Sequence, residues 1–478
     1  MDKKISVNYM YNLLYQLLSI SLPVLTAPYV SRVLGPNKIG EYNYVTGIVT
    51  YFGIIAVMGT VEFGQREIAR VQNDKYKRSK LFWEIFNFRL IFTLLSFLIY
   101  VFFIFFIFKK YILLFAVSVF TFLSWIFDVS WYFQGVEDFK VTAVRNSIVK
   151  ISVTLFIFIL VRNPNDVWIY TFIYSSANFI GNLTMIPYLK NEINFVFVNF
   201  KDIFSNFKDI MSLFLPVVAI QLYSVLNKIM LGAMSNTTQV GYFSQMYMII
   251  NLAISLIYAF VAVLIPRISA LYNQNDLIKV KKLSKEAISY VYMLGLPMMI
   301  GVLCVGNLFI PIFFGQAYVR ATPILYTMSP LFIIIGMGQL LSSFLVAINR
   351  QKALTIAVSV NAITNATLNY IVLKFQLGAL GVSIVTVISE LICTLIEMYN
   401  IKDIVNKRIY FNKFICYSKP SLLIVLCTIV LTFLITNKML LLICILLISI
   451  IMYLYALWLQ NDKLFSDLII PIISKIKK

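Results

Sequence analysis

Apolar blocks of about 20 residues follow one another along the whole chain, separated by short clusters of charge, Pro, Gly and Asn. At 1.5 Å per residue, a helix of about 20 residues matches the roughly 30 Å hydrocarbon thickness of a bilayer. The blocks lie at about 10–33, 41–63, 82–108, 111–133, 143–161, 167–189 and 210–233, and then at about 240–265, 287–313, 322–348, 353–373, 377–399, 414–436 and 439–459. This pattern predicts an all-α polytopic membrane protein of about fourteen transmembrane helices. The first block directly follows Met1-Asp2-Lys3-Lys4 and has no small-residue cleavage site after it, so it is read as a retained helix. The stretch 190–209 is the one interior segment with a soluble look. It divides the chain into an N-terminal six-helix lobe (1–189), a cytoplasmic linker (190–209), a C-terminal six-helix lobe (210–400) and two appended helices with a cytoplasmic tail (401–478).

Composition agrees with this reading. Hydrophobic residues make up 60% of the chain and charged residues 13%, about half the charged fraction of a soluble domain. With no histidine, catalytic His dyads, His zinc ligands and His proton relays are excluded. Cys304, Cys393, Cys416, Cys427 and Cys444 stand singly in apolar surroundings and imply neither a disulfide framework nor a metal site.

Charge sets the orientation. When the Lys and Arg residues are assigned to alternate sides of the fourteen blocks, 30 fall on the side of the two termini and 8 on the other, and Arg89 and Lys228 are assigned to neither. The positive-inside rule then predicts both termini in the cytoplasm. It also accounts for most of the net charge of +20, so a nucleic-acid partner is not invoked.

The two halves echo each other. In the first, a helix carrying Pro23 and Pro28 ends at Arg32, turns through Gly35-Pro36-Asn37 and restarts at Gly40-Glu41-Tyr42. In the second, a helix with Pro216 and Lys228 turns through Ser235-Asn236-Thr237 and restarts at Gly241-Tyr242-Phe243. Duplicated bundles of this kind permit alternating access.

Longer motifs carry a family resemblance. The run from Ser21-Leu22-Pro23 through Arg32-Val33-Leu34-Gly35-Pro36, with Ile39-Gly40-Glu41-Tyr42 and Gly64-Gln65-Arg66-Glu67-Ile68-Ala69-Arg70, resembles the opening of the polysaccharide flippases. These belong to the multidrug/oligosaccharidyl-lipid/polysaccharide exporter superfamily. Phe127-Asp128 with Trp131 to Glu137, and Lys228-Ile229-Met230-Leu231-Gly232 through Gly241-Tyr242, are similar to that family's fourth, seventh and eighth helices. One departure is Asn227, where the family often has Asp. The resemblance implies a two-lobed transporter moving an undecaprenyl-diphosphate-linked sugar repeat unit from the inner to the outer leaflet. Its expected partners are the lipid-linked oligosaccharide, membrane lipids, and a polysaccharide polymerase with chain-length machinery.

Such a cargo needs cationic groups within a hydrophilic path. Lys228 is the foremost candidate for the diphosphate, because a Lys inside a span costs about 2.5–3.5 kcal/mol unless it faces protein or water. Snorkelling toward the helix end is the other reading. Arg89 is a second candidate, with Glu84 and Asn87 as possible ion-pair or hydrogen-bond partners, and Arg32 either receives the diphosphate or caps its helix. Arg66, Arg145, Arg267 and Arg350 stand at cytoplasmic helix ends, where a collecting surface would lie. Trp131 and Gln134 are candidates for stacking on sugars and hydrogen bonding to them. No cofactor is expected. Glu390, nearest a bilayer midpoint, and Asp128 are the candidates for coupling to H+ or Na+.

Three other functions compete with this one. A multidrug antiporter would need intramembrane carboxylates, and span one has none. A lipid II flippase shares the mechanism and differs in head group. A membrane glycosyltransferase or polymerase would be expected to carry acids or a large loop outside, where only Glu41 and Asp166 fall.

Overall fold

The computed structural model describes residues 3–106, 109–190, 192–462 and 464–466, and for 3–16, 139, 213, 215–224 and 263 the backbone alone. The Pro216 side chain and the cations after residue 466 therefore lie outside what is described. Among the described residues there is no strand, and ten helices are long and apolar enough to cross a membrane, or eleven if one pair bent by 49° counts as one span. The all-helical membrane architecture is as the apolar pattern predicts. Two compact units divide the chain, Met1–Gly241 and Tyr242–Lys478.

The first unit begins with α1 (Lys3–Val57), which departs from helical geometry at Gly35, where φ is 70° and ψ is 171°. A left-handed φ favours glycine, and Pro36 then restarts the helix with its preset φ. Next come α2 (Thr60–Arg70) and α3 (Lys75–Phe106), the short helices α4 (Ile112–Val117), α5 (Val119–Phe127) and α6 (Ser130–Gly135), and the hairpin α7 (Phe139–Leu160) and α8 (Val167–Leu183). The stretch 190–209 lies inside this unit; it follows α9 (Ile186–Leu189) and holds α10 (Phe200–Ile203) and the start of α11 (Phe207–Met234). It is tied to α3, with the Trp83 indole donating to the Asn194 carbonyl at 3.1 Å and Arg78 pairing with Glu192 at 2.9 Å.

The helices are inside-out relative to those of a water-soluble protein. On α3 the buried stripe is Arg89, Thr93, Ser96, Tyr100 and Ile104, while Leu94, Leu98, Phe102 and Phe106 are exposed. Thr93 donates to the Ala56 carbonyl at 3.3 Å, Ser96 to that of Phe52 at 2.7 Å and Tyr100 to that of Phe115 at 2.6 Å. Hydrocarbon offers no hydrogen bonds, so polar groups turn inward and apolar ones face lipid.

Gly40 and Gly241, matched by the sequence repeat, meet at a reciprocal crossing of α1 with the start of α12 (Thr237–Asn273). A Cβ on Gly40 would stand 1.6 Å from the Thr237 carbonyl oxygen, and one on Gly241 would stand 1.9 Å from that of Pro36. Thr237 also donates its hydroxyl to Asn37. Only glycine lets the two backbones approach this closely.

The second unit holds the rest of α12, then α13 (Leu277–Phe313), α14 (Thr322–Met328), α15 (Leu331–Ala347), α16 (Gln351–Lys374) and α17 (Gly378–Tyr399). The last two helices, α18 (Lys407–Leu434) and α19 (Lys438–Leu459), pack on α13. Tyr453 anchors α19 by donating to the Met293 carbonyl at 2.7 Å.

Candidate functional site

Four of the candidate residues come together around the end of α5. Asp128 ends α5, and its carboxylate accepts from the Ser130 N–H at 3.0 Å, starting α6. The same carboxylate pairs with Arg89 at 3.3 Å. The Asp128 carbonyl accepts from Arg89 Nη1 and from the Trp131 indole, both at 3.1 Å. Arg89 is 1% exposed. Its partner is thus Asp128, distant in sequence, whereas Glu84 is held by Lys80 and Asn206. The Arg89 Nε is buried without a hydrogen-bond partner.

On the far side of this pair, Arg145 donates to Asn182 Oδ1 at 2.6 Å, and Asn182 donates to the Ser124 carbonyl at 2.7 Å. Asp128 lies within electrostatic reach of both guanidinium groups. Trp131 is fully buried, stacked on Phe82 at 5.4 Å between centroids and packed over Gly64. Gln134, one turn further along α6, is half-buried.

Lys228 lies on α11, half-buried, and donates to Asn43 Oδ1 of α1 at 3.2 Å. Asn43 in turn donates to the Ile39 carbonyl at 2.9 Å, which fixes its oxygen toward the ammonium. Small residues bring the helices together here, with Val225 against Gly47 and the Tyr44 ring against Gly232. Arg32 is exposed, three residues before the break at Gly35. Arg66 is exposed and shares Glu67 with Arg70, at 2.8 and 2.9 Å.

A polar ladder occupies the second unit. Asn361, Asn365 and Asn369 form one buried face of α16. Asn361 donates to Glu390 at 3.4 Å, Asn365 to Ser389 at 3.2 Å and Asn369 to Asn365 at 2.9 Å. Two turns beyond Glu390, Glu397 is 1% exposed and accepts from Ser342 of α15 at 2.5 Å, while its second oxygen is buried without a hydrogen-bond partner. Arg267 is exposed on α12. Arg350 donates to the Asp403 carboxylate at 2.8 Å, which holds that carboxyl below the ordinary aspartate range.

Asn43, Asn182 and the Asn361–Asn365–Asn369 face did not stand out in the sequence. Only the last had a signal, since Asn at steps of four marks one helix face. Asn43 and Asn182 are found only through their distant partners.

Residues 5–272 match the family model described as polysaccharide biosynthesis protein. A protein of Escherichia coli (strain K12) named "Putative O-antigen transporter" is 25% identical over 326 residues, covering 66% of this chain and 77% of that one. A Shigella dysenteriae protein of the same name is 24% identical over 389 residues, covering 80% and 96%. Among solved structures, the lipid II flippase MurJ in an inward closed conformation superposes with a TM-score of 0.73 at 16% identity, covering 95% of this chain and 99% of that one. An inward-facing multidrug resistance MATE family transporter of the MOP superfamily gives 0.62 at 16% identity, covering 81% and 94%. The fold is therefore of the MurJ and MATE kind.

Proposed function

The chain belongs to the polysaccharide biosynthesis protein family, and from that premise we propose that it flips undecaprenyl-diphosphate-linked oligosaccharide repeat units from the inner to the outer leaflet of the bacterial cytoplasmic membrane. The product serves surface polysaccharide: capsule, exopolysaccharide or O-antigen. The chain crosses the membrane fourteen times, as two six-helix bundles and two further helices, with both termini in the cytoplasm, and works by alternating access. A polymerase and chain-length machinery take up the product. The observation that carries the reading is the pair of cations set within apolar blocks and turned toward protein, Arg89 and Lys228. Groups so placed suit an anionic cargo. The O-antigen transporter names of the two relatives support a repeat-unit cargo over lipid II.

With the cytoplasm negative, each negative charge carried outward gains about 2.3 kcal/mol per 100 mV. The diphosphate itself thus supplies driving force. Glu390 is the site for a coupling H+ or Na+. Glu390→Gln should leave flipping in vesicles insensitive to imposed proton or sodium gradients, and an unchanged response would remove Glu390 from that role.

The test of the cargo is a deletion strain without a second flippase. Surface polymer should be lost while lipid-linked repeat units accumulate on the cytoplasmic leaflet. Normal surface polymer in that strain would overturn the assignment.

A further inference from the structure

Two basic loops that the charge count puts on one side of the membrane converge on a single surface pocket of the second unit. Lys281 from the second turn of α13, Lys402 from the α17–α18 connection, and Lys407 and Arg408 from the first turn of α18 line a cavity of about 640 Å³. All four cations are exposed. The acid in the lining, Asp403, is already engaged, because the Arg350 guanidinium donates to both of its carboxylate oxygens. Asn406 caps α18 by accepting from the Arg408 N–H at 3.0 Å, and the positive end of the helix dipole lies at the pocket. The side chains of Phe411, Phe414, Ile415 and Leu422 follow on α18, all exposed. A cluster of cations therefore sits at the foot of an apolar helix face.

We propose that this pocket binds the phosphate headgroup of an anionic membrane phospholipid, its tails lying along the exposed face of α18. Phosphate is the chemistry that four converging Lys and Arg donors recognise, and basic pockets at the cytoplasmic ends of membrane helices suit anionic headgroups. A free phosphate would use the same donors. The adjoining apolar ledge selects the lipid, since only a molecule with tails gains from it. The site adjoins one residue assigned to the cargo, Arg350, through Asp403, but its four cations are not among those residues and it does not depend on the transport reading.

The full chain, purified in a mild detergent, would be offered phosphatidylglycerol and phosphatidylcholine in equal amounts, with retained lipid read by native mass spectrometry. Preferential retention of phosphatidylglycerol is expected, falling steeply with added salt. Lys281→Gln, Lys402→Gln, Lys407→Gln and Arg408→Gln, made singly and together, should each weaken retention on the order of fivefold. The single exchanges at exposed positions and the salt titration of the unaltered chain keep the test valid if the fourfold variant fails to fold. Millimolar inorganic phosphate should leave the bound lipid in place. Equal retention of the two lipids, retention unchanged in the single variants, or displacement by inorganic phosphate alone would each overturn the proposal.

Discussion

Arg89 and Asp128, 39 positions apart in sequence, form an ion pair at 3.3 Å in which the arginine is 1% exposed and the aspartate carbonyl takes a second guanidinium bond. The pair does two jobs. It lets α3 carry a charge through hydrocarbon, and it fixes the corner between α5 and α6 on which Trp131 is mounted. Removing one partner of such a pair costs about 3–5 kcal/mol, because the other charge is left buried alone, whereas replacing both with apolar groups is often near neutral.

Arg89→Leu and Asp128→Leu should therefore each lower the thermal midpoint of the purified protein, and the double variant should recover much of the loss. The double-mutant cycle measures this coupling. Additive losses in the double variant would show that the two groups act separately.

The reciprocal glycines make a second test. Gly40→Ala would place its methyl 1.6 Å from the Thr237 carbonyl oxygen, and Gly241→Ala would place one 1.9 Å from that of Pro36. Backbone lies on both sides and cannot yield as a side chain would, so each change should cost at least the roughly 1–3 kcal/mol of ordinary overpacking. Gly301→Ala is the control, since nothing lies within 4 Å of its added carbon and alanine favours a helix by up to about 1 kcal/mol. Equal stability of all three variants, measured as folded protein in detergent, would refute the close crossing.

Much of the fold was legible because hydrocarbon writes it in blocks: an apolar run long enough to span leaves little choice of structure. The break at Gly35 was legible too, from Gly-Pro punctuation. Pairing across the sequence was not. Arg89 with its near neighbours Glu84 and Asn87 suggested a local pair, yet the partner is Asp128, because residues on one helix face meet other helices at positions that no local pattern records. Trp131 shows the same limit. An aromatic at this position reads as a platform for sugars, while the small residue that would receive it, Gly64, lies 67 positions away and encloses it in the core.

Orientation gives a third prediction, resting on the charge bias of 30 to 8. In a cysteine-free background, Asn236→Cys should react with an impermeant thiol reagent in intact cells and Gln274→Cys should not. Both positions are exposed, so accessibility to the reagent reports the side of the membrane. Gln274 is preferable to its neighbour Asn275, whose φ of 57° disfavours cysteine. The opposite labelling pattern would reverse every assignment of sides.

The last prediction concerns Lys228, whose ammonium reaches Asn43 at 3.2 Å across the α1–α11 contact. A cation held by a neutral amide keeps its charge unneutralised, and a diphosphate would bind it far more strongly than the amide does. Lys228→Arg keeps the charge in a different geometry and should retain part of the export. Lys228→Gln can still hydrogen-bond the amide of Asn43 but carries no charge, and Lys228→Glu sets a carboxylate against an anionic cargo. Export normalised to membrane abundance should fall in the order Lys, Arg, Gln, Glu. A lysine that merely ties α11 to α1 predicts a different result, with Gln close to the unaltered protein in export and any loss appearing as reduced abundance. Adding Asn43→Ala separates the two further. If the cargo is the true partner, Asn43→Ala should cost little export while Lys228→Gln costs much, whereas equal losses in the two would assign Lys228 to the helix contact alone.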